Sequence, residues 1–473
     1  MGGVSPPVRI RAFPQAAVLS LLCACSGGGG PSLPATFTVG GSVSGLASGV
    51  SLVLADNGAD TLTVTANGPF TFKSAITQNG AYSVTVVTNP MSQICAVTFG
   101  TGSGVAANVT QVAVACARIT KNWGSTAGMS AGRAYFSAVP LADGTVLVAG
   151  GQVFYNVIGA TLLAETSASA QIYHPATGGW TSAGNMTTAR QQYSATVLPN
   201  GSVLIAGGKY FVYPLFSQSS PPLATTEIFD PVGGTWTATA GMTAARLGHI
   251  ATLLANGTVL IVGGDAVGNS AEIYDPAAAT WTPTASANVG FFPYASALLP
   301  NGKVLVTGGG AGGSATSEIF DPSSGTWAAT GTNDGGQTAT LLANGTVLVS
   351  GFGTGNSTEI YDPATDTWTL TGAMTTTRYE YATTLLANGT VLAAGGTDFG
   401  NGGIWTVSPA GATAEIYDPA SGTWAPTGNL KTSRVAPSAA LLADGTVLVA
   451  GGIGAGTFGS GDNSVADAEI YYP

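Results

Sequence analysis

Charged side chains are scarce in this chain. Only 8% of the 473 residues are Asp, Glu, Lys or Arg, whereas about a quarter of the residues of a typical soluble domain are charged. Lys and Arg number 13 against 23 acidic residues, so the formal net charge is −10. Nucleic-acid binding requires a surplus of cations, and we therefore expect no nucleic-acid partner. Disorder is also excluded, because it requires low hydrophobicity and 45% of the residues are hydrophobic.

The apolar run near the N-terminus, residues 12–22, is too short to span a bilayer and follows two arginines, so it predicts an export signal. Next come Cys23, Ala24 and Cys25, and then Ser26 and four glycines. This segment resembles a bacterial lipobox, which implies a signal peptide over residues 1–24, a lipid on Cys25 and a flexible Gly/Pro-rich tether over residues 25–35. A plain secretory signal is the alternative.

The lipobox resemblance also implies a location. Ser26 gives no sign of inner-membrane retention, so we expect a lipoprotein of the outer membrane that faces the periplasm or the cell surface. The lipid is then its only contact with the membrane.

Cysteine is rare as well, with four in the whole chain. Two lie in the signal region, and the other two, Cys95 and Cys116, fall in one small domain. An oxidising compartment favours a disulfide between them.

Residues 36–118 form the first predicted domain. Short segments of alternating apolar and polar residues are separated by Asn-Gly turns at Asn57, Asn67 and Asn79, as is typical of a small antiparallel β-sandwich. The domain resembles the immunoglobulin-like and transthyretin-like modules of bacterial surface proteins, which implies a spacer. Carbohydrate binding is the alternative.

Residues 119–473 are an internal repeat. Each unit predicts four short strands, a to d. Asn-Gly or Asp-Gly joins strands a and b, as at Asn256, which suits a type I′ hairpin because both central residues then have positive φ. Gly-Gly follows strand b, Ile-(Tyr/Phe)-Asp-Pro ends strand c, and strand d carries a Trp. These tryptophans are Trp123, Trp180, Trp236, Trp281, Trp327, Trp368 and Trp424.

The three motifs recur in register and resemble the kelch repeat. The resemblance implies an all-β fold in which residues 119–473 form a seven-bladed β-propeller. The repeat region begins with a d-type strand at Trp123 and finishes with a c-type strand at Tyr471. We therefore expect the first strand to complete the last blade, which removes two exposed sheet edges.

The best-known kelch enzymes are galactose oxidases, whose copper site uses two His, two Tyr and a Cys. This chain has only His174 and His249, at different positions of the repeat, and no Cys after Cys116. We therefore expect no catalytic metal, no cofactor and no Ser-His-Asp triad. A carboxylate-only site is not excluded, although most acids of the propeller occupy one strand-c position and are better explained by structure.

Arginine follows a pattern of its own. Five of the eight arginines occupy one position just before strand a, and repeats 4 and 5 have Phe291 and Asp334 there instead. Two interpretations stand open. The arginines hold adjacent blades together by bonding loop carbonyls or strand-c Glu, or they form a cationic ring that binds acidic peptides at the channel mouth. They are Arg133, Arg190, Arg246, Arg378 and Arg434.

The loops between strands b and c differ in length, and those of repeats 6, 7, 1 and 2 are long and rich in aromatic residues. We expect a raised aromatic crescent there that binds a glycan or an acidic peptide. Alternatively, these side chains fold down onto the blades or dock the sandwich. They are Phe154, Tyr155, Tyr210, Phe211, Tyr213, Phe216, Phe399, Trp405 and Phe458.

The favoured function is accordingly a monomeric binding or scaffold protein for a glycan or a protein partner, and not an enzyme. A sugar-acting enzyme, such as an oxidase, lyase or isomerase, is the second hypothesis, and a purely structural envelope component is the third. Fold alone does not decide among them.

Overall fold

A computed structural model of the chain divides into two compact units, 1–117 and 118–473. Strands make up 52% of the residues that the structure describes and helix 1%, so the predicted all-β fold is confirmed. The structure describes residues 34–46, 51–89, 93–118, 121–157, 161–211, 220–288, 291–310, 315–331, 336–352, 355–398, 409–454 and 464–473.

The first unit contains two four-stranded sheets, ordered β5-β2-β10-β8 and β4-β3-β7-β9, and a small β1-β6 ladder. The pair β2–β10 is parallel, which differs from the wholly antiparallel sandwich expected from the sequence. The strands are β1 Thr36–Phe37, β2 Val39–Ser44, β3 Leu52–Asp56, β4 Asp60–Val64, β5 Gly68–Thr71, β6 Ile76–Thr77, β7 Tyr82–Thr88, β8 Gln93–Thr98, β9 Thr101–Gly102 and β10 Val109–Arg118.

A disulfide joins Cys95 on β8 to Cys116 on the neighbouring strand β10, as predicted. Both cysteines belong to the apolar core, together with fully buried residues of both sheets such as Leu52, Leu54 and Val112. The bond therefore links two strands of one sheet directly over the core.

The described part of the second unit contains seven antiparallel four-stranded sheets, which we number as blades 1 to 7. Each has the strand order a-b-c-d from the inside outwards. In that order, blade 1 contains β12 Ser137–Pro140, β13 Val146–Ala149, β16 Ser169–His174 and β17 Gly179–Asn185; blade 2 contains β18 Ser194–Val197, β19 Val203–Ala206, β20 Thr226–Asp230 and β21 Thr235–Thr239. Blade 3 contains β22 Ile250–Leu253, β23 Val259–Val262, β24 Ala271–Asp275 and β25 Thr280–Thr284; blade 4 contains β26 Phe291–Leu298, β27 Val304–Gly310, β28 Ala315–Asp321 and β29 Thr326–Ala329; blade 5 contains β30 Thr338–Leu341, β31 Val347–Phe352, β32 Ser357–Asp362 and β33 Thr367–Leu370. Blade 6 contains β34 Ala382–Leu385, β35 Val391–Ala394, β36 Ala414–Asp418 and β37 Thr423–Pro426; blade 7 contains β38 Ser438–Leu441, β39 Val447–Ala450, β40 Ala468–Tyr472 and β11 Asn122–Thr126.

The blades form a closed ring. Each innermost strand contacts the innermost strand of the next blade, and β38 of blade 7 contacts β12 of blade 1. Blade 7 is built from both ends of the unit, because β11 pairs antiparallel with the C-terminal strand β40, with Trp123 opposite Tyr471. Two elements lie outside the blades, in b–c loops: a hairpin of β14 (Gln152–Val157) and β15 (Thr161–Thr166) in blade 1, and a 3-10 helix (Pro409–Ala412) in blade 6.

The second strand of each blade is apolar at consecutive positions rather than alternating. In β13, β19, β23, β35 and β39 all four residues are buried. Such a strand is covered on both faces, here by the neighbouring blades, so both rows of its side chains are apolar.

The Trp of strand d connects each blade to the preceding blade. Its ring packs on the Tyr or Phe directly opposite on strand c, with centroids 4.9–5.3 Å apart. Trp236 Nε1 donates to the Ala183 carbonyl of blade 1 at 2.8 Å, and Trp281 Nε1 donates to the Ala240 carbonyl that follows blade 2, also at 2.8 Å. Aromatic packing and an interblade hydrogen bond therefore come from one side chain.

The a–b hairpins are not type I′, contrary to the expectation from Asn-Gly and Asp-Gly. In the a–b hairpin of blade 3 only Gly257 has positive φ, at 85°, and its N–H donates to the Leu254 carbonyl. Asn256 keeps negative φ because its side-chain oxygen accepts hydrogen bonds from the N–H and hydroxyl of Thr258. This is a three-residue hairpin, a type I turn followed by a glycine in the left-handed region.

In the described part of the chain, no helix is long and apolar enough to cross a membrane.

Candidate functional site

The two ends of the blades differ in how much loop they carry. The b–c loops, which start at the Gly-Gly pairs, and the d–a loops, which contain the arginines, lie together on one face, and we call this the loop face. The tight a–b and c–d turns lie on the other, which we call the turn face. The long loops, and with them the candidate site, belong to the loop face.

The five arginines are buried, with 0–1% of their surface exposed. In each, the guanidinium Nη1 donates to the carbonyl of the first glycine after strand b of the same blade. For Arg190 this bond, to Gly207, measures 2.8 Å, and for Arg246, to Gly263, also 2.8 Å. The arginine thereby holds the d–a loop against the b–c loop of its own blade.

The second glycine continues the connection to the next blade. Gly151 N donates to the Arg190 carbonyl at 2.9 Å, and Gly208 N donates to the Arg246 carbonyl at 2.8 Å. Gly396 with Arg434 and Gly452 with Arg133 repeat the bond. The arginines and glycine pairs therefore form a hydrogen-bonded chain through blades 6, 7, 1, 2 and 3.

Four of the arginines are paired with the Glu of their own strand c, at 2.6–3.0 Å. The same carboxylate accepts backbone N–H groups of the d–a loop, as Glu272 does from Thr243 and Ala244. Burial acts to raise the pKa of Glu272, but the hydrogen bonds from Thr243 and Arg246 outweigh it and leave the pKa below its usual range.

The burial corrects one of the two interpretations drawn from the sequence. The five arginines do not form a cationic ring at the surface, because their guanidinium groups are hydrogen-bonded to loop carbonyls and, in four of them, to strand-c acids. They are Arg133, Arg190, Arg246, Arg378 and Arg434. Arg133, Arg378 and Arg434 are so enclosed that burial lowers the pKa of each. Of the residues that replace arginine in blades 4 and 5, Asp334 lies outside the described residues.

The residue two positions after each arginine forms a second ring, which we call the collar: Tyr135, Gln192, Gly248, Glu380 and Ala436. All five have positive φ, between 51° and 64°. Backbone bonds connect collar residues of adjacent blades, from Gln192 N to the Tyr135 carbonyl, from Gly248 N to Gln192, and from Ala436 N to Glu380. Because the collar immediately precedes the innermost strands of blades 6, 7, 1, 2 and 3, it lines that side of the channel mouth. Left-handed backbone at four non-glycine residues stores strain, which persists where surrounding structure imposes it and is frequent at functional sites.

Two collar side chains meet over blade 7. The Tyr135 hydroxyl of blade 1 donates to Glu380 Oε2 of blade 6 at 3.2 Å. The Glu380 N–H donates to the side-chain oxygen of Gln337 in blade 5. Burial raises the pKa of Glu380 to about 7, although the Tyr135 hydrogen bond acts to lower it. Burial, and then the adjacent carboxylate, raise the pKa of Tyr135.

A cavity of about 800 Å³ opens on the loop face beside the collar. Its wall comes from the b–c loops of blades 2 and 3, the d–a loop of blade 3, and Tyr294 of blade 4, which is 47% exposed. Gly248 belongs to both the collar and the cavity wall. Asp265, one of the polar lining residues, is held 3.7 Å from the Arg246 guanidinium. The lining residues are Pro222, Ala244, Ala245, Leu247, Gly248, Gly264, Asp265, Ala266, Gly268 and Tyr294.

The predicted aromatic crescent is described only in part. Phe154 is buried against Ala134, Val435 and Ile453, so it folds down onto the blades rather than standing exposed. Tyr210 and Phe211 are half-buried, and the Lys209 ammonium lies 4.9 Å from the Phe211 ring centroid. The backbone of Tyr155 pairs with Leu163 in the blade 1 hairpin. Tyr213, Phe216, Phe399, Trp405 and Phe458 lie outside the described residues, as does Cys25.

The residues present do not fit a copper site of the galactose oxidase type. His174 ends strand c of blade 1, where its Nε2 bonds the Thr181 hydroxyl at 2.7 Å. His249 is buried in blade 3, where burial and then Arg246 lower its pKa to about 3. Among the described residues, no three His, Cys, Asp or Glu side chains are close enough to hold a metal ion.

Comparisons with known proteins show the fold. No family model and no curated protein matches the chain. Among solved structures, it is similar to a fungal alcohol oxidase of the AA5 family in complex with copper, with a TM-score of 0.57 and 19% identity over 75% of this chain and 76% of that one. At this identity the likeness shows the fold alone, an all-β propeller.

Sequence reasoning found the arginine and glycine positions but missed the collar and the pair of Tyr135 and Glu380. A signal was present two residues after each arginine, where the repeat varies between Tyr, Gln, Gly, Glu and Ala. Variation at a fixed structural position is typical of a site that differs in chemistry from blade to blade.

Proposed function

We propose that this protein is a kelch-type propeller lipoprotein of the bacterial envelope that binds a glycan on its loop face and is not an enzyme. The observation that carries the proposal is the 800 Å³ cavity formed by the loops of blades 2 and 3 and by Tyr294. A cleft of this size, mostly apolar with a few polar groups, is typical of small-ligand sites.

The contacts of the described residues favour a glycan over an acidic peptide. An acidic peptide requires accessible cations, and the five arginines of the loop face are buried and bonded within the fold. The chain is itself acidic, with a net charge of −10. Tyr294 contributes a partly exposed ring to the same cavity wall as the carboxylate of Asp265, and an apolar ring face together with a hydrogen-bond acceptor suits a sugar ring.

Glycan binding is tested on an array of neutral and acidic oligosaccharides. Tyr294→Ala removes the exposed ring of the cavity, and we expect it to lower binding at least tenfold without loss of thermal stability, since the side chain is half exposed. Val232→Ala is the matched control, because Val232 is an apolar side chain 97% exposed in the c–d turn of blade 2 on the turn face. Equal oligosaccharide binding by the two variants would contradict the proposal.

The envelope location rests on Cys25. We expect Cys25→Ser to move the protein from the membrane fraction to the soluble fraction, because the lipid is its only proposed anchor. A variant that stays with the membranes contradicts this part of the proposal.

A sugar-acting enzyme is the second candidate, and the hydrogen-bonded pair of Tyr135 and Glu380 favours it. A carboxyl group with a pKa near 7 suits proton transfer at neutral pH. Chromatography coupled to mass spectrometry of oligosaccharides incubated with the protein distinguishes the two functions. An oxidase or a lyase changes the masses and an isomerase changes the retention time, whereas a binding protein changes neither.

A further inference from the structure

The pair of Tyr135 and Glu380 has unused hydrogen-bonding capacity. The Tyr135 hydroxyl donates its one proton to Glu380 Oε2, and its oxygen can still accept a hydrogen bond. Within the described residues, Glu380 Oε1 has no hydrogen-bond partner, and the side chain is half-buried rather than enclosed. Two atoms of this pair, the Tyr135 oxygen and Glu380 Oε1, can therefore still accept a hydrogen bond.

We propose that Tyr135 and Glu380 bind two hydroxyl groups of a neutral carbohydrate at the channel mouth. The inference rests on the proposed glycan-binding function and assigns the collar to the same site. The collar adjoins the 800 Å³ cavity at Gly248, so a chain of sugars lying against Tyr294 reaches the collar without leaving the loop face.

The charges around Glu380 favour a neutral ligand. On its own element, Tyr379 is uncharged and Arg378 is turned to Glu415 and to loop carbonyls. In blade 7 Arg434 is paired with Glu469, and in blade 1 Arg133 is bonded to loop carbonyls. Blade 5 contributes the uncharged Gln337. Among the described residues, Glu380 thus faces Tyr135 and no cation, so an anion is repelled when the carboxyl is ionised.

The proposal has a pH signature. A hydroxyl group that donates to Oε1 stabilises the ionised carboxylate, because hydrogen bonds to charged acceptors are the stronger ones. Burial already raises the pKa of Glu380 to about 7, so protonation competes with the ligand in the neutral range. If only the ionised form binds, affinity falls roughly 30-fold between pH 8.5 and pH 5.5.

The experiment uses the full chain and three neutral probes, cellohexaose, maltohexaose and chitohexaose, titrated by calorimetry at pH 8.5 and pH 5.5. We expect at least one probe to bind the unaltered protein about 30-fold more weakly at pH 5.5. Glu380→Gln keeps the side-chain shape but not the charge, so its affinity should be low and the same at both pH values. Tyr135→Phe, which loses one acceptor, should bind more weakly at both.

The matched control is Glu165→Gln, the same substitution at an exposed carboxylate of the blade 1 hairpin on the loop face, which should behave like the unaltered protein. The proposal is overturned if Glu380→Gln retains the pH dependence or the full affinity. Tyr294→Ala then tells the two hypotheses apart, since a loss of binding in that variant alone leaves the glycan function standing. Failure of all three probes to bind the unaltered protein overturns the collar proposal, and the array of neutral and acidic oligosaccharides decides the glycan function separately.

Discussion

Arg133 differs from the four other arginines at its position because it has no carboxylate partner among the described residues. Its guanidinium donates to the Gly150 and Ser169 carbonyls and to the Ser169 hydroxyl. The strand-c position that is Glu in the other blades is Gln171, whose oxygen accepts from the N–H of Ser130. Blade 1 therefore encloses a cation that neutral groups alone compensate, an arrangement that costs free energy.

We predict that Gln171→Glu stabilises the protein at pH 7. The new carboxylate can pair with Arg133 and still accept from Ser130, and a hydrogen bond between charged groups contributes about 2 kcal/mol. The reverse change, Glu227→Gln, should cost about 3 kcal/mol because it leaves Arg190 buried without its charge partner. Denaturant unfolding followed by Trp fluorescence measures both, and a destabilised Gln171→Glu protein contradicts the argument.

The sequence predicts where these side chains stand in the repeat better than it predicts their burial and their hydrogen-bond partners. The five arginines align without a structure, but their burial does not follow from the sequence, because Arg is usually exposed and the atoms that compensate it here are mostly backbone carbonyls of glycines. Backbone acceptors have no sequence signature. Tyr135 and Glu380 were missed for a related reason: they are 245 residues apart, and only the closed ring brings them together.

At the scale of elements, each blade repeats one device, the Trp of strand d stacked on the aromatic residue of strand c and bonded to the preceding blade. We predict that Trp281→Phe, which keeps the ring against Tyr274 but loses the Nε1 bond to Ala240, lowers the free energy of unfolding by about 1 kcal/mol. Leu370→Ala, at a side chain 70% exposed in strand d of blade 5, is the control and should have little effect. Equal stability of the two variants would show that the indole bond contributes nothing.

The strands of the blades follow from hydrophobic patterning, but the hairpins between them do not follow from their dipeptides. Asn-Gly favours type I′ in isolation. Here Thr258 stands directly after the glycine, and its N–H and hydroxyl both bond Asn256, which fixes the Asn at negative φ. A residue outside the two-residue motif thus selects the turn type. The parallel pair β2–β10 in the first unit was missed in a similar way, because alternation of side chains is the same in parallel and antiparallel strands.

At the scale of the whole molecule, the ring is closed by hydrogen bonds between the two ends of the propeller. The order of motifs along the chain is sufficient to predict that Trp123 pairs with Tyr471. The last repeat lacks a strand d, and the segment around Trp123 is a strand d without the other three strands. The loop face is less accessible to sequence reasoning, because its cavity depends on how loops of different blades meet. The residue pattern within one repeat does not indicate how its loops contact the loops of other blades.

The closure makes a quantitative prediction. Asn122 and Tyr472 are exposed residues directly opposite each other on β11 and β40, so Asn122→Cys with Tyr472→Cys can form a disulfide that joins the ends of the propeller. Such a bond closes a very long loop and should stabilise the oxidised over the reduced form of that variant by roughly 6 kcal/mol in the chain-entropy model. Asp230→Cys with Thr235→Cys, also opposite each other but only in the c–d hairpin of blade 2, should give roughly 2 kcal/mol. All eight tryptophans lie after residue 122, so Trp fluorescence reports the propeller separately from the sandwich and its own disulfide. If both pairs stabilise equally, or the terminal pair does not form, the ends are not held together in the way that the β11–β40 ladder requires.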